Sequence, residues 1–293
     1  MGSIGKSKVQ NERRPGAGNR PRPRGGVGLS EQERWRLYVM GCRGSWPVSG
    51  PEYQGFGCAT SCYILKRGGH AVILDCGSGL YRGKELLRDC GQIDILLTHL
   101  HYDHLIGLLN WGVFPVQPRF FAQFGNWFGE DTLARFISPP FWPYTQRAEM
   151  HDAASPGQVL LDGARVLFHP SNHPDGASIL RVETEDGAVC AAFDYEHAGP
   201  FPAHMAQDCA VLLYDGMYTR EEYAQRVGWG HSTWQEGQAL ARENPARQVI
   251  ITHHSPDRTD AALLEMEQEA MVDTPNLRFA REGDVLELKP VHR

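Results

Sequence analysis

The sequence predicts an α/β protein, and three observations carry that prediction. Apolar runs of strand length recur along the chain, bounded by turns rich in Gly, Pro, Asn and Asp. Stretches with helical length and helix-start residues appear among them, most clearly after residue 230. The order is strands first, then strands mixed with helices, which calls for helices layered on sheet.

The first strand is placed at Trp35–Met40, where the chain turns apolar, and it ends in the turn Gly41-Cys42-Arg43-Gly44. Ser61–Lys66, Ala71–Asp75 and Asp94–Thr98 follow as strands between Gly-containing turns, with a helix across Tyr81–Asp89. Residues 105–150 are aromatic and Pro-rich, as in Pro139-Pro140-Phe141-Trp142-Pro143-Tyr144, and show no clear period. Strand-like runs resume at Arg165–His169, Ser178–Glu183, Val189–Tyr195 and Val211–Asp215. Ser232 is read as the cap of a helix over Thr233–Glu243. The apolar Gln248–Thr252 is a buried strand. A helix over Thr259–Met271 sets Leu263, Leu264 and Met266 beside acidic residues, and Val285–Lys289 closes the body. The residue pattern carries no repeat of solenoid period.

Length allows one large domain or two small ones, and a hydrophobic fraction of 41% is ample for a sizeable core. We expect a disordered basic leader over residues 1–32, rich in Gly, Pro, Arg and Asn, and a single folded domain over 33–293. Residues 1–30 hold seven Lys/Arg and one acid, Glu12, so the remaining 22 basic and 34 acidic residues leave the body at a formal net of −12. Such a body argues against structured nucleic acid as a partner, because phosphate neutralisation dominates that affinity. No apolar run reaches the roughly 18–20 residues of a membrane span, and the N-terminus lacks a signal-peptide core. Seven cysteines, an odd number, do not form a disulfide framework, so a reducing cytoplasm is expected.

The densest chemistry lies just past the apolar run Ile95-Leu96-Leu97, in Thr98-His99-Leu100-His101-Tyr102-Asp103-His104. Residues two apart on an extended chain point the same way, so His99 and His101 can grip one cation together. Asp103 and His104, where the chain turns, are placed for a second. Imidazole and carboxylate suit zinc and its first-row neighbours. Further donors stand at the ends of expected strands: His173 in Ser171-Asn172-His173-Pro174, Asp194 after Val189–Phe193, and His253 after Val249–Thr252.

That ordered set, HxHxDH followed by a His, an Asp at a strand end and a last His, resembles the metallo-β-lactamase superfamily over about residues 35–290. The resemblance implies an αβ/βα four-layer sandwich with metals at the shared edge of two sheets. It implies that His99, His101 and His173 hold one divalent ion, that Asp103, His104 and His253 hold another, and that Asp194 bridges them. Zn2+ is the expected metal, with Mn2+ or iron as alternatives. Adjacent residues on an extended chain face opposite ways, so only one of His253 and His254 enters the shell, and the family pattern selects His253. Asp75 matches a position that supports the ligand loop.

Paired metals permit hydrolysis of phosphodiesters, lactones or thioesters, so accessory residues must decide among them. Gly230-His231-Ser232-Thr233 resembles the Gly-His-Ser-Thr motif of the ribonuclease Z-like and cyclic-phosphodiesterase branch, and Asp215 matches the acid that orients this His. An imidazole can protonate a leaving oxygen near neutral pH. The catalytic candidates are therefore His231, Asp215 and Asp103. Ribonuclease Z needs a long arm between the third His and the bridging Asp to clamp tRNA; here that interval is 21 positions. The reading is a dimetal phosphodiesterase for a small cyclic or nucleotide-like diester. Its alternatives are a carbon-ester hydrolase (lactonase or thioesterase) and, less favoured, a tRNA 3′ endonuclease.

A homodimer would be in keeping with the branch. Cys58 and Cys62 belong to no complete cysteine set of the kind that holds a structural zinc. Trp111, Phe141, Trp142, Tyr144, Trp229 and Trp234 are offered both as core residues and as stacking partners for a base. Tyr102 stands where the branch commonly has Trp.

Overall fold

In the computed structural model the chain is described over residues 2, 34–124, 130–153, 157–244 and 247–289. Apart from residue 2, the expected leader lies outside the described residues. Two seven-stranded sheets form the body, in the orders β14-β1-β2-β3-β4-β5-β6 and β13-β12-β11-β10-β9-β8-β7. The first contains β1 (Arg36–Gly41), β2 (Cys62–Arg67), β3 (His70–Leu74), β4 (Gln92–Leu96), β5 (Arg119–Ala122), β6 (Glu149–Asp152) and β14 (Val285–Glu287). The second contains β7 (Gln158–Leu161), β8 (Ala164–Ser171), β9 (Ala177–Thr184), β10 (Gly187–Ala192), β11 (Val211–Asp215), β12 (Gln248–Thr252) and β13 (Leu277–Phe279). Helices are α1 (Lys84–Leu87), α2 (Tyr102–Leu105), α3 (Glu130–Phe136), α4 (Ala203–Ala206), α5 (Arg220–Tyr223), α6 (Trp234–Glu243) and α7 (Asp260–Met271).

Side-chain alternation explains the layering. Leu37, Val39, Tyr63, Leu65, Val72 and Leu74 face Phe168, Leu180, Val182, Val189 and Leu213 in the core between the sheets. The intervening Ile64, Ile73, Ile93 and Ile95 face outward and pack with Leu80, Leu87 and Leu105. On the far side, Ile179, Cys190, Leu212, Val249 and Ile251 pack against Trp234 and Ala241 of α6 and Leu263 and Ala270 of α7. Strands buried on both faces read as continuous apolar runs, which is why they were legible. The result is the four-layer αβ/βα arrangement. Among the described residues no helix is long and apolar enough to cross a membrane.

Several elements depart from expectation. Strands β5, β6, β7 and β13 and helix α3 were not predicted. Each strand spans only three or four residues, too few for a period to emerge. The expected helix over 81–89 is a 3-10 segment, Ser78–Gly83, followed by the four-residue α1. The cap of α6 is Thr233, whose side chain accepts from Glu236 N. Ser232 is buried instead, with its hydroxyl between His197 Nδ1 (2.8 Å) and Tyr214 OH (2.9 Å). Strand β10 ends at Ala192 rather than at Tyr195, because Asp194 turns into the left-handed region at φ 47°.

Parallel pairing runs β3-β4-β5-β6 in one sheet and β10-β11-β12-β13 in the other. Functional sites gather at the carboxyl ends of such strands, where loops leave the sheet together. Leu180 is fully buried between the sheets, so Leu180→Ala should lower unfolding free energy by about 2–5 kcal/mol. Leu160→Ala, at an exposed position, should change it by roughly 0.5 kcal/mol or less; urea denaturation of both variants measures the difference.

Candidate metal centre

Five of the parallel strands deliver polar side chains to one edge. The chain leaving β4 carries Thr98, His99 and His101; His101 is the N-cap of α2, whose first turn holds Asp103 and His104. Asp75 follows β3, Asp194 follows β10, Asp215 ends β11 and His253 follows β12. His173 enters from the turn after the antiparallel β8. Asp75, Asp194 and His253 all have positive φ, at 56°, 47° and 57°. Such residues cost of order 1–3 kcal/mol each in backbone strain, and the surrounding structure holds them there.

The donor atoms converge in overlapping groups. One ligand-capable atom from each of His99, His101, His173 and Asp194 lies within 4.8 Å of the others, and the same holds for Asp103, His104 and His253. Asp194 faces both sets. Its Oδ1 is 3.0 Å from His104 Nε2 and 3.3 Å from His253 Nδ1. Its Oδ2 is 3.5 Å from His99 Nε2 and 3.7 Å from His173 Nε2. His253 therefore enters this cluster, whereas His254 turns away to donate Nε2–H to Ala280 O at 3.0 Å.

Buried and without a hydrogen bond are His99 Nε2, His104 Nε2, His253 Nε2 and Asp194 Oδ1. Leaving such atoms unmatched costs about 1–3 kcal/mol each. Cations between the donors would satisfy all four, so the residues present fit divalent metal. The remote ring nitrogens are already committed in ways that aim the others inward. His104 Nδ1 donates to Asp75 Oδ2 (2.7 Å), and His173 Nδ1 donates to Gly230 O (2.9 Å). His99 Nδ1 meets Thr98 Oγ1 at 3.0 Å, and that hydroxyl donates to Asp75 Oδ2 at 2.7 Å. Asp75 thus braces two imidazoles at once. Ser45 N donates to Asp103 Oδ2 at 2.7 Å.

Close approach leaves no room for side chains at two glycines. A Cβ at Gly44 would stand 2.5 Å from His253 Nε2, and one at Gly230, with φ 87°, would stand 2.1 Å from His173 Nδ1. Charge is equally constrained. Burial, then neighbouring His104, pushes His99 well below the ordinary imidazole range. Burial opposes ionisation of Asp194, but the charges of His253, His104 and His99 hold its carboxyl well below the usual value.

Beside the cluster, His231 Nδ1 bonds to Asp215 Oδ2 at 2.9 Å. Tyr195 N and Met217 N fix that carboxylate at 3.2 and 3.0 Å. The His231 ring stacks on His253, centroids 4.9 Å apart. Burial disfavours its cation, but the charge and hydrogen bond of Asp215, then Asp194 and Asp103, prevail and raise its pKa to about 9.

Of the aromatic candidates, Trp234 is core and Trp111 packs against the outer core of the first sheet. Trp142 is half-buried; Phe141, Tyr144 and Trp229 are exposed. Cys62 is buried and Cys58 half-buried, and among the described residues the metal-capable groups contain only His and Asp. Sequence reading missed Glu196, whose buried carboxylate accepts from Gly228 N (2.7 Å) and Gly230 N (2.8 Å). Its one signal was its place two residues after Asp194. Also missed was the exposed Trp46–Tyr102 pair, centroids 5.3 Å apart.

Residues 55–112 match the family model described as the metallo-beta-lactamase superfamily. The chain is 35% identical to a ribonuclease Z of Gemmatimonas aurantiaca over 301 aligned positions, 78% of this chain and 90% of the relative. Among solved structures, the metallo-beta-lactamase fold protein YhfI of Bacillus subtilis superposes with a TM-score of 0.67 at 18% identity, over 86% of this chain and 98% of that one. A diphosphatase of the PhnP family superposes with 0.66 at 19%, over 88% and 99%.

Asp194→Ala should lose bound metal from both donor groups. Asp75→Ala should weaken Zn2+ binding about 10–100-fold while retaining the fold; elemental analysis and chelator competition measure the two effects.

Proposed function

The chain belongs to the metallo-beta-lactamase superfamily, and from that premise we propose that it is a two-metal phosphodiesterase acting on a small cyclic or nucleotide-like diester. As a relative of ribonuclease Z within it, the chain is a metal-dependent hydrolase. In the proposed assignment His99, His101 and His173 would hold one ion and Asp103, His104 and His253 the other, with Asp194 serving both. When bound, two divalent cations, Zn2+ by preference, supply an activated water and neutralise charge around phosphorus.

The protein's own part is acid catalysis and orientation. Asp215 holds His231 through Nδ1, which leaves Nε2 as its proton-donating nitrogen, and one ring nitrogen of His231 lies within 4.8 Å of donor atoms of Asp194 and His253. Protonated His231 gives its Nε2 proton to the departing alkoxide oxygen and returns to the neutral ring. Asp103, fixed by Ser45 N, holds its carboxylate beside His104 and His253.

The His231–Asp215 pair carries this reading. Expulsion of an alkoxide from phosphorus gains from a positioned proton donor, whereas a dimetal carbon-ester hydrolase need not use the pair. The interval from His173 to Asp194 favours a small substrate over tRNA. It is occupied by the hairpin β9–β10 and its short flanks, with no room for an arm. The alignment to the Gemmatimonas ribonuclease Z also has more positions than this chain has residues, so that relative carries segments without a counterpart here.

Purified protein of measured metal content should hydrolyse bis-p-nitrophenyl phosphate and cyclic mononucleotides; turnover confined to lactones or thioesters would sink the proposal. His231→Ala should retain metal and lose about 100-fold or more in kcat on an alkyl diester, with a smaller loss on an activated aryl diester. Equal losses would count against the acid role. In the wild type, kcat should fall as pH rises through the pKa of His231, about 9 or lower once cations offset the charges of Asp194 and Asp103. Asp215→Asn removes the largest raising influence, so this alkaline limb should move to lower pH in a pH–rate profile.

A further inference from the structure

A cleft of about 340 Å3 opens beside the cluster, walled by Ser45, Met217, Tyr218, Arg226, Trp229 and Arg258 among others. Its inner end touches the machinery described above. Ser45 N donates to Asp103, Met217 N donates to Asp215, and the Tyr218 ring lies 5.8 Å from that of His231. The volume is at the lower end of the range for small-molecule sites, about 300–1,000 Å3.

Trp229 stands in this wall with 61% of its surface exposed. A single exposed tryptophan is ordinary. This one is held unusually firmly for a loop residue. The residues on either side of it, Gly228 and Gly230, donate their N–H groups to separate oxygens of Glu196, itself only 5% exposed. Tyr223 OH also donates to Glu196, at 2.9 Å. The Trp229 N–H closes back on Arg226 O at 3.1 Å. The Arg226 guanidinium lies over both the Tyr218 ring (5.3 Å) and the Trp229 ring (5.9 Å), a cation–π brace. An indole fixed in this way loses little conformational entropy when a planar partner stacks on it.

Both cations of the wall are held within it: Arg258 is paired with Glu222, and Arg226 donates Nη1–H to Glu222 O while lying over the two rings. What the wall offers outward is aromatic surface. We propose that Trp229 is a stacking platform for a heterocyclic base, which makes the substrate a nucleotide diester rather than a bare sugar diester. This rests on the phosphodiesterase reading for its substrate class, and it adds a specificity-determining residue to it.

Equilibrium binding of adenosine 5′-monophosphate and ribose 5-phosphate to the metal-loaded protein tests the assignment, since the second probe carries a hydroxyl where the first carries its base. The wild type should bind the nucleotide about tenfold or more tightly than the sugar phosphate. Trp229→Ala should collapse that ratio to within about twofold, while Trp229→Phe, which keeps an aromatic face, and Trp46→Ala should retain most of it. Equal affinities in the wild type, a ratio that survives Trp229→Ala, or a ratio lost in Trp46→Ala instead would overturn the proposal. Since binding is read without turnover, a base preference that depends on Trp229 in a protein that hydrolyses no diester would uphold this platform and sink the phosphodiesterase reading alone.

Discussion

Buried donor atoms that the protein cannot match by itself are the constraint around which this structure is arranged. Three imidazole nitrogens and one carboxylate oxygen sit out of water with no hydrogen bond, all directed at one small volume. A fold tolerates such a cost where something else removes it, and the mix of imidazole and carboxylate is what divalent cations prefer. The strained backbones of Asp75, Asp194 and His253 belong to the same account. Each lies just past a strand end and turns its side chain into the cluster or behind it.

Two carboxylates outside the donor set extend that order outward. Asp75 joins His104 to His99 through Thr98, so the ligand loop after β4 is fixed by the strand beside it. Glu196 does the corresponding work on the other sheet by gripping Gly228 and Gly230. The carbonyl of Gly230 receives His173, and the next residue is His231. A single peptide therefore links the orientation of a candidate ligand to that of the candidate acid. Disturbance of this loop should be felt at both.

Selection among substrates is separate from the cluster. The donor set would serve many esters, because its contribution is charge and an activated water. On the proposed reading, discrimination falls to what surrounds it: a candidate acid, His231, held by Asp215, a short hairpin between His173 and Asp194, and a cleft with an aromatic wall. On the same reading, the acidic body, at a formal net of −12 beyond residue 30, adds a field that disfavours a long polyanion.

Much of this was legible in the residues. Apolar runs of strand length let β1 to β4 and β8 to β12 be placed, most plainly where a strand is buried on both faces, as β3 and β11 are, and the donors at their ends could be named with them. His99, His101, Asp103, His104, His173, Asp194, His253, His231 and Asp215 all lie together in space. Elements too short to show a period, β5, β6, β7 and β13, could not be found this way, and a buried hydroxyl at Ser232 was mistaken for a cap. Glu196 and the fixed loop around Trp229 were invisible because their roles depend on backbone groups more than 25 residues away in the chain. Local chemistry, the type and spacing of donors, is a property of the sequence. Which of Asp194's oxygens faces which imidazole, which of two adjacent histidines turns inward, and which tryptophan meets the cleft were decided only by packing, since those are relations between segments that touch only after the sheets have closed on one another.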